Sequence, residues 1–274
     1  MKIEFYPEKS ALGSFIVGYS ILQASALSRH DVSAVTVPDG FVEMYFSRYN
    51  TVSIKMNSQK HIAQLSAGFI LGQTEKAIEF NLAGDMELIS VKIHPWATKV
   101  LFPDKAVIYR DRSCAIDDIG DKTLSLLQDQ VLHCKTNQEA IKAIRNYMAR
   151  LIGGQAPYSK LIYYCINYIY QNYKNFKVKE LSAHLNISSQ YLQRQFLEHL
   201  GISPKQFARV IRIRRLTEYH KSQPKTSLTT LAYKYGYFDQ SHFIKDFQIV
   251  TDTSPKSFFD RRNLVSSNYH SNHH

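Results

Sequence analysis

One stretch of the chain occurs twice. FLEHLGISPKQF at 196–207 recurs 51 residues later as FQIVTDTSPKSF at 247–258. Upstream, LSAHLN at 181–186 matches LAYKYG at 231–236 with an offset of 50, so the second copy has one more residue in its turn. A repeat of this size is one supersecondary unit used twice, and it restricts the fold of this half more than any composition does. Each copy starts with a short amphipathic helix ending at Asn186 or Gly236, residue types that tolerate the left-handed conformation. A turn follows, Ile187-Ser188 or Tyr237-Phe238, and Ser188 or Asp239 can then cap a second helix. In those second helices Leu192 and Phe196, and likewise Phe243 and Phe247, stand at i, i+4 and face inward. The opposite faces are polar, with Gln190, Gln193 and Arg194 in one and Ser241, His242 and Lys245 in the other.

Helix, tight turn, helix with an apolar back and a polar front suits one kind of target. A major groove about 12 Å wide admits one helix, and the first helix can prop the second so that its polar face meets base edges. Arg can grip guanine O6 and N7, and Gln can grip adenine N6 and N7. Between the copies, FARVIRIRRL at 207–216 packs Phe207, Ile211 and Ile213 among arginines, as a helix that would fix the spacing of the two units. Its arginines could reach phosphates or brace the units, and for Arg212 both readings stand.

Charge agrees with this division. The 274 residues carry a formal net charge of +11. Residues 1–156 hold 17 basic and 16 acidic side chains, whereas residues 157–274 hold 17 basic and 7 acidic. A near-neutral half joined to a basic one predicts two modules, one of which meets a polyanion. No apolar run approaches the roughly 20 residues of a spanning helix, and MKIEFYPEKS lacks the apolar core of a signal peptide. No membrane partner is expected. Cys114, Cys134 and Cys165 are too few and too irregular for a disulfide framework or a zinc module, which suits a reducing cytoplasm.

The first 110 residues read as strands separated by Gly, Pro and Asp turns: Val32–Val37, Phe41–Phe46, Gly68–Gly72 and Glu87–His94. This predicts a barrel or sandwich. Helical spacing begins near Asp117 and continues through NQEAIKAIRNYMARLI, where Ile141, Ile144, Met148 and Leu151 share a face that is either core or a dimer seam. Gly153, Gly154 and Pro157 break the pattern. His30, His61 and His94 are isolated, so no metal and no cofactor is expected. Trp96 reads as a core anchor, and Glu43, alternating with apolar neighbours, as part of an exposed strand face.

LAYKYGYFDQSHFIKDFQIVTDTSPKSFF resembles the signature of the AraC/XylS family of bacterial transcriptional regulators, with Gly236, Phe238, Asp239, Gln240, Ser241, His242, Phe243, Phe247 and Pro255 matching its pattern. The resemblance covers residues 160–262 and implies two helix-turn-helix units joined by a linker helix, each placing one recognition helix in successive major grooves. Carried over by position, it implies base reading by Gln190, Gln193 and Arg194 in the first unit, and by Gln240, Ser241, His242 and Lys245 in the second. Lys205, Arg209 and Lys256 are the phosphate candidates. Asp252 departs from the family's usual Gly, and Leu216 from a common Ala. VPDGFVEMYF at 37–46, GFILG at 68–72 and VKIHPW at 91–96 are similar to the N-terminal domains of one AraC-like subgroup, which implies a cupin-like regulatory domain that senses a small molecule, dimerises, or both.

The expected fold is therefore two-domain α+β. An N-terminal β-rich, barrel-like domain over 1–152 carries helices at about 120–152. A linker at 153–158 leads to an all-α double helix-turn-helix domain at 159–262, and the tail at 263–274 reads as disordered. The expected partners are double-stranded DNA, a small-molecule effector, a second copy of the chain, and RNA polymerase if the protein activates. A regulator whose N-terminal half binds a protein is the alternative. An enzyme fused to a DNA-binding domain is the minor alternative; it would need a reactive Cys or a metal cluster, but Cys114 and Cys134 have no pairing motif and no GxSxG, P-loop or HExxH motif is present.

Overall fold

In the computed structural model, the described residues are 2–24, 32–49, 52–56, 62–65, 67–82, 85–102, 110–153 and 158–260. His30, His61, most of the predicted linker and the whole predicted tail lie outside them. The described residues of the N-terminal domain form ten strands: β1 (Lys2–Pro7), β2 (Ile16–Ala24), β3 (Val32–Thr36), β4 (Val42–Arg48), β5 (Val52–Met56), β6 (Ile62–Leu65), β7 (Gly68–Leu71), β8 (Ile78–Leu82), β9 (Met86–Ile93) and β10 (Ser113–Ala115). They form an antiparallel six-stranded sheet, β1-β2-β9-β4-β7-β10, and an antiparallel four-stranded sheet, β3-β8-β5-β6. Among the described residues the two sheets do not close on each other, so the barrel expectation is corrected to an open two-sheet arrangement.

All eight residues of β9 are buried, which marks a strand covered on both faces. On one side Phe69, Leu71, Met86 and Leu88 meet Val52, Ile54, Ile78 and Phe80 of the smaller sheet. On the other side Met44, Phe46, Ile70, Ile89 and Val91 meet the helices that follow. These are α1 (Thr98–Leu101), α2 (Lys122–His133) and α3 (Asn137–Gly153). Ile141, Ile144 and Met148 are buried and Leu151 half-buried, so that stripe is core.

Glu43 is not on an exposed face. It stands opposite Lys92 in the β4–β9 register, and the ammonium, 1% exposed, lies 3.0 Å from Glu43 and 2.5 Å from Asp39. Burial disfavours that ammonium, but the two carboxylates outweigh burial and hold its pKa above the ordinary lysine value. A buried charge of this kind is tolerable only when paired. Trp96 is the core anchor expected: its ring stacks on His94 at 4.2 Å and its Nε1 donates to the Ser14 carbonyl at 2.8 Å.

The C-terminal domain is helical: α4 (Lys160–Asn172), α5 (Val178–His184), α6 (Ser189–Leu200), α7 (Pro204–Ser222), α8 (Leu228–Lys234), α9 (Gln240–Thr251) and α10 (Pro255–Phe259). The repeat is reproduced in the backbone. Asn186 and Gly236 both have positive φ, at 52° and 77°, and so do Gly201 and Asp252, at 78° and 55°. Asp252 thus performs the turn for which the family uses Gly. A Cβ on Gly236 would meet the Lys174 carbonyl oxygen at 2.5 Å, so that position needs glycine for space as well as for φ.

Candidate nucleic-acid interface

Two helix-turn-helix units, α5–α6 and α8–α9, flank the long helix α7. Ser188 caps α6 by accepting from the Tyr191 N–H at 3.1 Å, and Asp239 caps α9 by accepting from the His242 N–H at 2.7 Å. Leu192 and Phe196 pin α6 to the core, as Phe243 and Phe247 pin α9. With the backs buried, the fronts are fixed outward. Gln190, Gln193, Arg194, Gln240, Ser241, His242 and Lys245 are all exposed. Arg194 and Lys245 occupy equivalent stations 51 residues apart, one on α6 and one on α9. Lys205 and Lys256 are likewise equivalent and exposed, each beside the proline that starts α7 or α10.

The arginines of α7 divide differently. Arg209 pairs with Asp246 of α9 at 3.0 Å, so it ties α7 to α9. Arg212 donates to the Tyr173 carbonyl at 2.9 Å and lies over the Tyr237 ring at 5.0 Å, which makes it a brace. Arg214 pairs with Glu218 at 2.7 Å and is buried against the N-terminal domain, donating to the Val37 carbonyl at 3.4 Å. Tyr235 and Tyr237 are packing residues, but Tyr233 is not, being 64% exposed. Phe238 stands in the family pattern yet is 88% exposed, and Tyr237 fills the interior of the turn instead.

Sequence reasoning missed Tyr191. It occupies the station of His242 in the first copy, and the 51-residue offset alone points to it. The Arg194 guanidinium rests 5.3 Å from its ring centroid, a cation–π contact on the exposed side of α6.

Residues 181–261 match the family model described as "Helix-turn-helix domain". Those residues form an AraC-type helix-turn-helix domain. Residues 4–115 match a second model, "Domain of unknown function (DUF6597)". No curated protein matches the chain. Among solved structures, ToxT from Vibrio cholerae is 10% identical, with 88% of this chain and 97% of that chain covered at a TM-score of 0.47. The C-terminal domain of AraT, a response regulator from Geobacillus stearothermophilus, is 24% identical over 42% of this chain and 96% of that chain, at a TM-score of 0.36. The AraC-like transcriptional activator CuxR is 14% identical over 80% of this chain and 86% of that chain, at a TM-score of 0.28. Likenesses this distant say nothing about what this chain binds.

The AraC-type domain is not isolated from the strands. The turn at Gly40, with φ +83°, lies so close to α7 that a Cβ there would meet the Phe207 ring at 2.8 Å and Ile211 at 3.2 Å. Glu75 bonds Gln206 at the start of α7, the Ala77 N–H donates to the Val250 carbonyl at 2.7 Å, and Lys76 pairs with Asp252 at 2.7 Å. Lys99 pairs with Glu198 near the end of α6. A groove of about 620 Å³ runs along the front of α6, from Gln190 and Arg194 to Gly201, with Arg110 of the N-terminal domain on its wall. Among the described residues no helix is long and apolar enough to cross a membrane, and no group of His, Cys, Asp and Glu could hold a metal ion.

Proposed function

We propose that the protein is a sequence-specific transcriptional regulator of the bacterial cytoplasm that reads double-stranded DNA with α6 and α9. The observation that carries this reading is the pair of equivalent, capped helices whose inward faces are buried while every predicted base-reading residue stays exposed. Gln190, Gln193 and Arg194 read one stretch of major groove; Gln240, Ser241, His242 and Lys245 read the next. Lys205 and Lys256 meet phosphates. Genome-wide mapping of bound DNA tests this: a recurring motif upstream of genes is expected, and occupancy without any shared motif contradicts it.

The N-terminal domain modulates the binding. A cavity of about 30 Å³ lies between the sheets, lined by Thr36, Glu43, Tyr45, Leu71, Ile78 and Phe80 and bordered by the Val37–Phe41 turn that touches α7. It has room for about one water, so a small, largely apolar effector would have to part the sheets and shift that turn. A metabolite that raises the melting temperature of the full chain supports an effector. If none does, the N-terminal domain acts through a protein partner instead.

A further inference from the structure

The two copies align with an offset of 50 from Leu181 through Ile187 and of 51 from Ser188 onward. Tyr237 takes the place of Ile187 and Asp239 that of Ser188, which leaves Phe238 without a counterpart. This inserted residue is the most exposed of the large apolar side chains in the described structure, at 88%. Its backbone is held on both sides. The Tyr237 N–H donates to the Ala232 carbonyl at 3.0 Å and its ring is buried under Arg212, while Asp239 is fixed as the cap of α9. Phe238 is therefore a ring presented in water by a rigid turn, two residues before Gln240.

Residues at the start of a recognition helix are those that meet base edges. Consecutive Cα atoms are about 3.8 Å apart, so Phe238 lies within about 8 Å of Gln240 along the chain. The exposed neighbours Gln240, Ser241 and His242 are polar, and polar groups read hydrogen-bonding edges. The one apolar group on the major-groove edge is the 5-methyl of thymine. We propose that Phe238 is a DNA-contacting residue whose ring packs on a thymine 5-methyl in the site read by α9. It adds a thymine preference there for which the first unit has no equivalent residue. This rests on the reading of α9 as a recognition helix.

The test uses the full chain and a duplex selected by the wild-type protein. Each thymine in the second half-site is replaced in turn by uracil, which removes only the methyl. The wild type should lose about fourfold in affinity at one position, the worth of one buried methyl group. Phe238→Ala should bind the parent duplex about tenfold more weakly and be indifferent to uracil at that position. Its melting temperature should not fall, since the ring contributes nothing to the core. An F238A protein that binds the parent duplex as tightly as wild type overturns the proposal and leaves the ring to a protein partner. Loss of affinity with the uracil response unchanged overturns it too. The uracil scan of the wild type decides by itself should F238A fold poorly: no sensitive thymine means no such contact. If the wild type selects no duplex at all, the DNA reading fails first.

Discussion

Arg194 and Lys245 show how much a single position can carry. Each stands exposed on the front of a helix whose back is buried. Arg194→Ala should cost about 1–3 kcal/mol of specific binding and relax preference at one base pair; an equal loss on every sequence would make it a phosphate contact. Lys205 and Arg209, both read from the sequence as phosphate candidates, should now separate. Lys205→Ala should lower the salt slope of binding by about one unit. Arg209→Ala should leave the slope unchanged and destabilise the fold by about 1–3 kcal/mol, because Asp246 loses its partner in a buried site. The opposite assignment of slope and stability would return Arg209 to the interface. Glu8 supplies a pH signature. Burial opposes its ionisation, but the Ser10 N–H, the Tyr19 hydroxyl and Arg145 prevail and lower its pKa to about 2. A lowered folded pKa means that its contribution is full above the ordinary carboxylate range and is lost as pH falls toward about 2. Glu8→Gln should therefore be less stable than wild type near neutrality, with the gap closing in acid; a gap of constant size would show that Glu8 acts by packing alone.

At the scale of elements, the helical half was legible because its signals are local. Caps, left-handed stops and i, i+4 apolar pairs all fall within a dozen residues, and they recur in register. The strands were legible as strands, but their pairing was not. Glu43 alternates with apolar residues as an exposed side chain would, and only its register opposite Lys92, 49 residues away in sequence, makes it an interior carboxylate. The choice between a barrel and a sandwich stayed open for the same reason, since it depends on which strands meet rather than on what each one is. Gly40 is the clearest test at this scale. Its positive φ costs an L-residue roughly 1–2 kcal/mol, and the Cβ would press on Phe207 and Ile211. Gly40→Ala should lower the melting temperature and loosen the N-terminal domain from α7, seen as faster amide exchange in α7. Unchanged exchange would mean that the contact does not hold the helix.

For the whole molecule, charge divided the chain into a near-neutral and a basic half, and the fold follows that division. What composition could not show is how closely the halves join. One hydrophobic core continues from the sheet through α3 and α4 to α7, and the Gly40 turn, Glu75, Ala77 and Lys99 reach residues more than 90 positions away. The two domains should therefore unfold in a single calorimetric transition; two well-separated transitions would contradict a shared core. The most direct test of DNA reading by both units is selection from a random duplex pool with the full chain, repeated with Arg194→Ala and Lys245→Ala. Two short motifs centred about one helical turn apart, roughly 10–10.5 base pairs, are predicted. R194A should degrade one motif and K245A the other. A pool that yields no motif, or a single motif that both variants degrade alike, would contradict it.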